Sequence, residues 1–387
     1  MSLTRWLSER LGLSGIRELA SRPAPPRKRP TFRPRLEALE ERYLLSTLMV
    51  LNTNDSGAGS LRADIAAAHN GDTIVFAPSL NGQTITLTSG ELLIKKNLTI
   101  AGPSDRSLTV SAGGLSRVFE VASTVAKPVT LSGLTISNGA GSGAGGGGIY
   151  NAGTLTVSNS TLSGNTSTGG DGGGIQNDGT LTVGGSTLCG NSAGEGGGIF
   201  NYGTLTVSGS TLSGNHANGD GGGGGIYDGY GNGTVTATVS NSTLSGNSAQ
   251  FNGGGIENGG KLTVSGSSLS SNSAHYGGGI YNYSSATLTV SGSTLCDNSA
   301  TYYGGGIYNM NLGTVTVSGS ILSGNSASKG GGIFNYGNAL TVENSSTITG
   351  NLAPTGFGAD VYNLGVLYLD STSTIGILDG NPAKPPI

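Results

Sequence analysis

Apolar and polar residues alternate with period two in short runs that recur through most of the chain. One copy carries three of them, "GIYN" from Gly148, "TLTV" from Thr154 and "STLSGN" from Ser160. Strict alternation predicts strands half-buried on one face. It places Ile149, Leu155, Val157 and Leu162 inward, and no helical spacing competes. The isoleucine of the phrase "GGGI" returns at Ile149, Ile175, Ile199, Ile226, Ile256, Ile280, Ile307 and Ile333, with Val361 in the same slot of a degenerate last copy. A second column closes "LSGN" or a variant at Asn165, Asn191, Asn215, Asn247, Asn272, Asn298, Asn325 and Asn351.

The period selects the architecture. About 26 residues at ~3.3 Å each would run ~85 Å if straight, so each copy must bend at its glycines and Asn/Ser-rich ends. One coil of a three-sided parallel β-helix meets this demand, each strand pairing with its equivalent in the next coil. A single copy cannot bury its apolar face, whereas stacked copies share one core. The columns Asn151, Asn177, Asn201, Asn258, Asn282, Asn309, Asn335 and Asn363 and the "GN" asparagines then read as ladders of amides bonded from coil to coil. Hexapeptide left-handed helices and nonapeptide calcium rolls have shorter periods.

The flanks of the array differ from it. Residues 1–46 form a basic, proline-rich leader, disordered or export-related, containing "RPAPPRKRP". Residues 47–140 are expected to hold a cap and irregular first coils. Ser60 can cap a helix through His69 in which Leu61, Ile65 and Ala68 share one face, and such a helix would cover the open end of the first coil. Residues 141–375 are the regular array, and 376–387 are expected as a flexible tail. No apolar run is long enough for a membrane-spanning helix.

Composition narrows the function. The chain of 387 residues has 72 glycines and only 11% charged residues, which fits neither collagen nor a charge-rich disordered chain. Residues 1–42 hold ten Lys or Arg against five Asp or Glu, and residues 43–387 nine against seventeen. No arginine follows Arg117. A nucleic-acid-binding solenoid needs a basic stripe, which this body lacks, so nucleic acid is not an expected partner. Cys189 and Cys296 share a slot four coils apart, ~19 Å at ~4.8 Å per coil, too far for a disulfide.

Three constellations merit a functional reading. One step beyond the isoleucines stand Phe200, Tyr227, Tyr281, Tyr308 and Phe334, among others. Opposite parity to an inward isoleucine predicts an outward aromatic stripe, a platform for a glycan or a protein. Asp171 and Glu195 share a slot four residues before their isoleucines, with Asp220 in the next coil. That spacing suits ordinary surface carboxylates, a calcium site or a glycosidase pair. The third is the rank of threonine pairs Thr154/Thr156, Thr180/Thr182, Thr204/Thr206, Thr287/Thr289 and Thr314/Thr316, which resembles an ice-binding face. His216 and His275 are read as surface residues.

The repeated "GGGIYN" and "LSGN" resemble the GG-x-I and F-x-x-N repeats of polymorphic outer-membrane proteins, with leucine where that family favours phenylalanine. "GSLRADIAAAHNGDTIVF" is similar to a stretch that opens many bacterial surface β-helix proteins, and "LEALEERYLLS" to an N-terminal motif of large secreted bacterial proteins. The resemblance implies a pectin-lyase-like, right-handed parallel β-helix exported to a surface. The expectation is therefore an all-β solenoid of about eleven coils with a helical cap. It is read as a non-catalytic extracellular or cell-surface adhesin for glycan or protein. Calcium is the one cofactor considered. The alternatives are a polysaccharide lyase or glycoside hydrolase centred on Asp171 and Glu195, and ice binding along the threonines.

Overall fold

The computed structural model describes residues 45–124, 127–143, 145–230, 235–283 and 285–385. The leader lies almost wholly outside them. The rest is a parallel β-helix. Strands of successive coils pair in parallel in one 13-stranded and two 12-stranded sheets, with a fourth sheet of seven strands at one corner. This gives about twelve coils, one more than the eleven expected, and residues 47–140 contribute paired rungs without the "GGGI" phrase.

Register follows the repeat columns. In the isoleucine sheet Ile149 pairs with Ile175, Ile175 with Ile199, and so on to Val361. In the threonine sheet "TLTV" lies on "TLTV", and in the leucine sheet Leu162 lies on Leu188 and Leu212. Ile149, Leu155, Val157 and Leu162 and their equivalents make one continuous core inside the coils. The threonine rank is in register too. Its inner column runs unbroken from Thr156 to Thr341, while Lys261 and Ala339 interrupt the outer one.

Both ends deserve comment. Ser60 caps the helix Leu61–Ala67 by accepting from Ala63 N–H, and Leu61 and Ile65 are buried. Leu61, Ile65 and Ala68 belong to the interior core, so the helix closes the apolar interior as expected. The expected tail is different. Leu378–Gly380 pairs with Val361–Asn363, and Lys384 bridges Tyr368. Residues 376–385 complete the last coil because Leu378 supplies the apolar side chain that covers Val361.

The "GGGI" phrase has a distinct reason at each glycine. The first, for example Gly172, adopts φ of 67°, a left-handed turn that Cβ disfavours. A Cβ on the second, Gly173, would meet Gly197 O at 2.5 Å and Ser192 backbone at 2.6 Å. A Cβ on the third, Gly174, would meet Gly198 O at 2.5 Å and the Asn191 amide at 3.4 Å. Each coil therefore folds back so tightly that its backbone touches the next.

Three polar ladders hold the corners. Asn165 Nδ2 donates to Asn191 Oδ1 at 3.0 Å, Asn191 to Asn215 at 2.9 Å, and the series continues to Asn351. The same oxygens also accept from the preceding rung's backbone N–H, as Asn215 Oδ1 does from Asn191 N. The second ladder joins Asn151, Asn177 and Asn201, and then Asn258 through Asn363. A third, unread in the sequence, links serines: Ser160 N–H donates to Ser186 Oγ, Ser186 to Ser210, and onward to Ser346. Asn215→Ala should leave two donors of Asn191 buried without partners and cost about 2–4 kcal/mol, read as a fall in the urea midpoint monitored by circular dichroism.

Candidate functional site

The outer face of the isoleucine sheet carries the chemistry. Its outward column, in register, is Phe200, Tyr227, Glu257, Tyr281, Tyr308, Phe334 and Tyr362. The orientation away from the interior is as expected, but the exposure is not. Phe200, Tyr227, Tyr281, Tyr308 and Phe334 are only 1–7% exposed, so the anticipated open stripe is corrected to a second, external core. Tyr281, Tyr308 and Phe334 cluster together, with Tyr276, Tyr283, Tyr303, Met310 and Tyr362 packed against them.

Two flanking columns provide the cover. On one side stand Tyr202, Tyr230, Tyr283, Met310 and Tyr336. Tyr202 tilts against Phe200 at 5.0 Å between ring centroids, and Tyr281 O–H donates to Met310 S at 2.6 Å. On the other side the residue before the left-handed glycine leans over the strand. Tyr303 stacks on Phe334 at 4.6 Å, and Lys329 Nζ lies 5.1 Å from the Phe357 ring and 5.8 Å from Tyr362. The covering rings are themselves open to solvent, Tyr202 by 48% and Tyr336 by 51%. Next to them Phe251, His275 and Tyr302 form a file of rings, 5.5 Å between successive centroids. His275 is thus part of an aromatic file rather than plain surface.

The acidic residues share the slot before that glycine. Gly146 N–H donates to Asp171 O, Gly172 to Glu195 O and Gly196 to Gly222 O, so Asp171 and Glu195 are one coil apart, as their spacing predicts. Among the described residues no three His, Cys, Asp or Glu side chains gather where an ion could be held. Asp171, Glu195 and Asp220 are not brought together as such a group. Burial raises the Asp171 carboxyl above the usual range, and Asp178 adds to that.

The partner of Glu195 is Glu257, a residue the sequence reading missed. It replaces an aromatic in the outward column and is fully buried. Its Oε1 accepts from Tyr230 O–H at 2.5 Å, while Oε2 has no partner. The slot in front of it is empty of side chain: a Cβ on Gly222 would strike Glu257 Oε2, and one on Gly221 would strike Glu195 Oε1. Two carboxylates thus converge over adjacent glycines. Burial pushes Glu257 up to about 7, with the Glu195 charge adding and the Tyr230 hydrogen bond opposing. Burial also raises Glu195, as does Asp171, against the Tyr227 hydroxyl that bonds it. The interruption of an aromatic column by "GIEN" was the available signal for Glu257.

The sequence matches no protein-family model and no curated protein. Among solved structures, the crystal structure of pectate lyase Pel9A aligns over 87% of this chain and 79% of its own, at a TM-score of 0.33 and 15% identity. The likeness is one of fold. Among the described residues no helix is long and apolar enough to cross a membrane.

Two outcomes follow from this packing. Phe334→Ser should lower the melting temperature by the loss of a buried ring, about 3–5 kcal/mol, whereas Tyr336→Ser, half-exposed, should leave it nearly unchanged. Tyr230→Phe should strip Glu257 of its remaining hydrogen bond and destabilise the fold by about 1–3 kcal/mol, read by urea denaturation at pH 8. Because Glu257 holds its proton to about pH 7 when folded and releases it near 4.5 when unfolded, its effect on stability is most favourable below pH 4.5. It worsens between 4.5 and 7 and stays constant above.

Proposed function

We propose that the protein is a non-catalytic surface or secreted binding protein, an adhesin that takes a glycan along the outer flank of the isoleucine sheet. The observation that carries this reading is the file of solvent-open rings Tyr202, Tyr230 and Tyr336, with the half-buried Tyr283 among them, set on a buried aromatic layer. Anchored rings lose little freedom when a sugar ring stacks on them, and aromatic faces bind the apolar face of a pyranose through contact area rather than charge. The stack spacing is set by the coil rise, so an extended polymer could meet several rings in turn, each adding a modest increment. The GG-x-I repeats and the leader, by their resemblance to exported bacterial proteins, support a place at the cell surface or outside it.

The convergence of Glu195 and Glu257 over Gly221 and Gly222 favours a second reading, a glycoside hydrolase. A buried, hydrogen-bonded carboxyl that stays protonated near neutrality has the character of a general acid. The more open Glu195 has that of a base or nucleophile. This pair replaces Asp171 and Glu195 as the site on which an enzymatic reading rests.

The binding reading is tested on a glycan array with residues 47–385 and the variant Tyr202→Ser/Tyr283→Ser/Tyr336→Ser. The variant should lose at least tenfold in affinity for whichever glycan the parent retains. Equal binding by both would remove the flank from the reading. Release of reducing ends from neutral or acidic polysaccharides by the parent, abolished in Glu195→Gln, would establish the hydrolase instead.

A further inference from the structure

One rung of the second asparagine ladder is not asparagine. Asp228 pairs in register with Asn201 on one side and Asn258 on the other, and it is fully buried. Its Oδ1 accepts from Asn201 Nδ2 at 2.7 Å, as an asparagine oxygen would. Its Oδ2 stands where the neighbouring rungs carry Nδ2. From Asn151 to Asn335 that nitrogen donates to the next Oδ1 and to a threonine, alanine or valine carbonyl of the next coil, as in Asn177 to Asn201 Oδ1 and Thr204 O. At Asp228 the corresponding oxygen has no partner. Asn258 Oδ1, the next rung's acceptor, takes its recorded hydrogen bond from Gly260 N–H, and none from Asp228.

We propose that Asp228 holds a structural proton, so that a neutral carboxyl imitates the amide of the ladder and its ionisation cuts the ladder between the Asp228 and Asn258 coils. The argument is one of donors and acceptors. An ionised carboxylate offers only acceptors, and here one of its oxygens faces the acceptor side of the next rung. A protonated Oδ2 donates, and the ladder is continuous again. Burial acts in the same direction, raising the carboxyl up to about 7. Among the described residues no cation pairs with it. The groups bordering the rung are the Asn201 and Asn258 amides. Of the nearest titratable side chains, Tyr227 and Glu257 lie on the outer face of the same sheet, and Lys261 lies exposed on the threonine sheet.

The first ladder supplies an internal control. It ends in an aspartate, Asp360, whose Oδ1 accepts from the Asn351 amide and backbone and whose Oδ2 accepts from Ile377 N–H. Both oxygens meet donors, so that position suits a carboxylate and no proton is needed. The same residue type is thus an acceptor at a ladder's end and an acid within a ladder.

The consequence is a seam sensitive to pH. The unfolded chain releases the Asp228 proton near 3.8 and the folded chain near 7. Stability at this rung is therefore greatest below the first value, declines between the two and is flat above the second. Urea midpoints and melting temperatures from pH 4 to 9 would test this in a Glu257→Gln background, which removes the other carboxyl raised to about 7. Adding Asp228→Asn should flatten the pH dependence and raise the melting temperature at pH 8 by about 4 °C or more. Adding Asp360→Asn should do neither, because its amide would turn a donor toward Ile377 N–H. In the same Glu257→Gln background, infrared spectra at pH 6 should contain a protonated-carboxyl component that Asp228→Asn removes. An unchanged pH profile, no gain at pH 8, or a variant that fails to fold would overturn the proposal, since an amide here should be tolerated better than an acid. A missing infrared band would overturn it as well.

Discussion

Everything in this fold depends on hydrogen bonds that run parallel to the solenoid axis. A coil of about 26 residues must turn three corners, and each corner buries backbone groups that no strand can satisfy. The amide ladders and the serine ladder meet that need with side chains that act as donor and acceptor at once. Each rung is correct only if the next coil presents the same residue at the same height. Register, period and the fixed asparagine columns are therefore one constraint expressed three ways, and the glycines follow from it because the corners must close tightly enough for the rungs to touch.

This constraint explains what could be read in the sequence. Ile149 and its equivalents, the two asparagine columns and the Ser60 cap were all legible, because each obeys a local periodicity that has one physical solution. The aromatic column was half legible. Parity gave the direction of Tyr281, Tyr308 and Phe334, but their burial depends on Tyr283, Tyr303 and Met310, which reach across from other coils and other columns. Parity says which side of a strand a residue takes and nothing about what covers that side. The serine ladder escaped notice because serine is abundant throughout and the donor involved is its backbone N–H, which no residue type reveals.

The acidic residues show the same limit more sharply. Asp171 and Glu195 attracted notice because they repeat a slot, yet the carboxylate that meets Glu195 is Glu257, from a different column. Departures from the repeat were the better signal. Glu257 stands in an aromatic column, Asp228 in an asparagine column and Gly222 in a slot that from Asp171 onward is otherwise occupied by side chains, and all three lie within the coils around the longest interval, the 30 residues from Ile226 to Ile256. In a repetitive protein the regular positions report the scaffold, and the exceptions locate whatever chemistry has been placed on it.

The external aromatic layer also makes the two halves of the solenoid mechanically unequal. In a linear array each coil is held only by its neighbours, so resistance to unravelling is the sum of successive interfaces. From Phe200 to Tyr362 most interfaces combine interior apolar contacts with ring contacts outside, such as the stacks of Phe200 on Tyr227 and Phe334 on Tyr362. Before Phe200 the outer column holds Glu120, Tyr150 and Gln176, and those coils carry polar contacts outside, such as Tyr150 O–H to Asp178 and Arg117 to Glu91 and Glu120, in place of stacked rings. A pull applied along the axis would peel the early coils first and stop at the ringed half, leaving the aromatic flank intact under load.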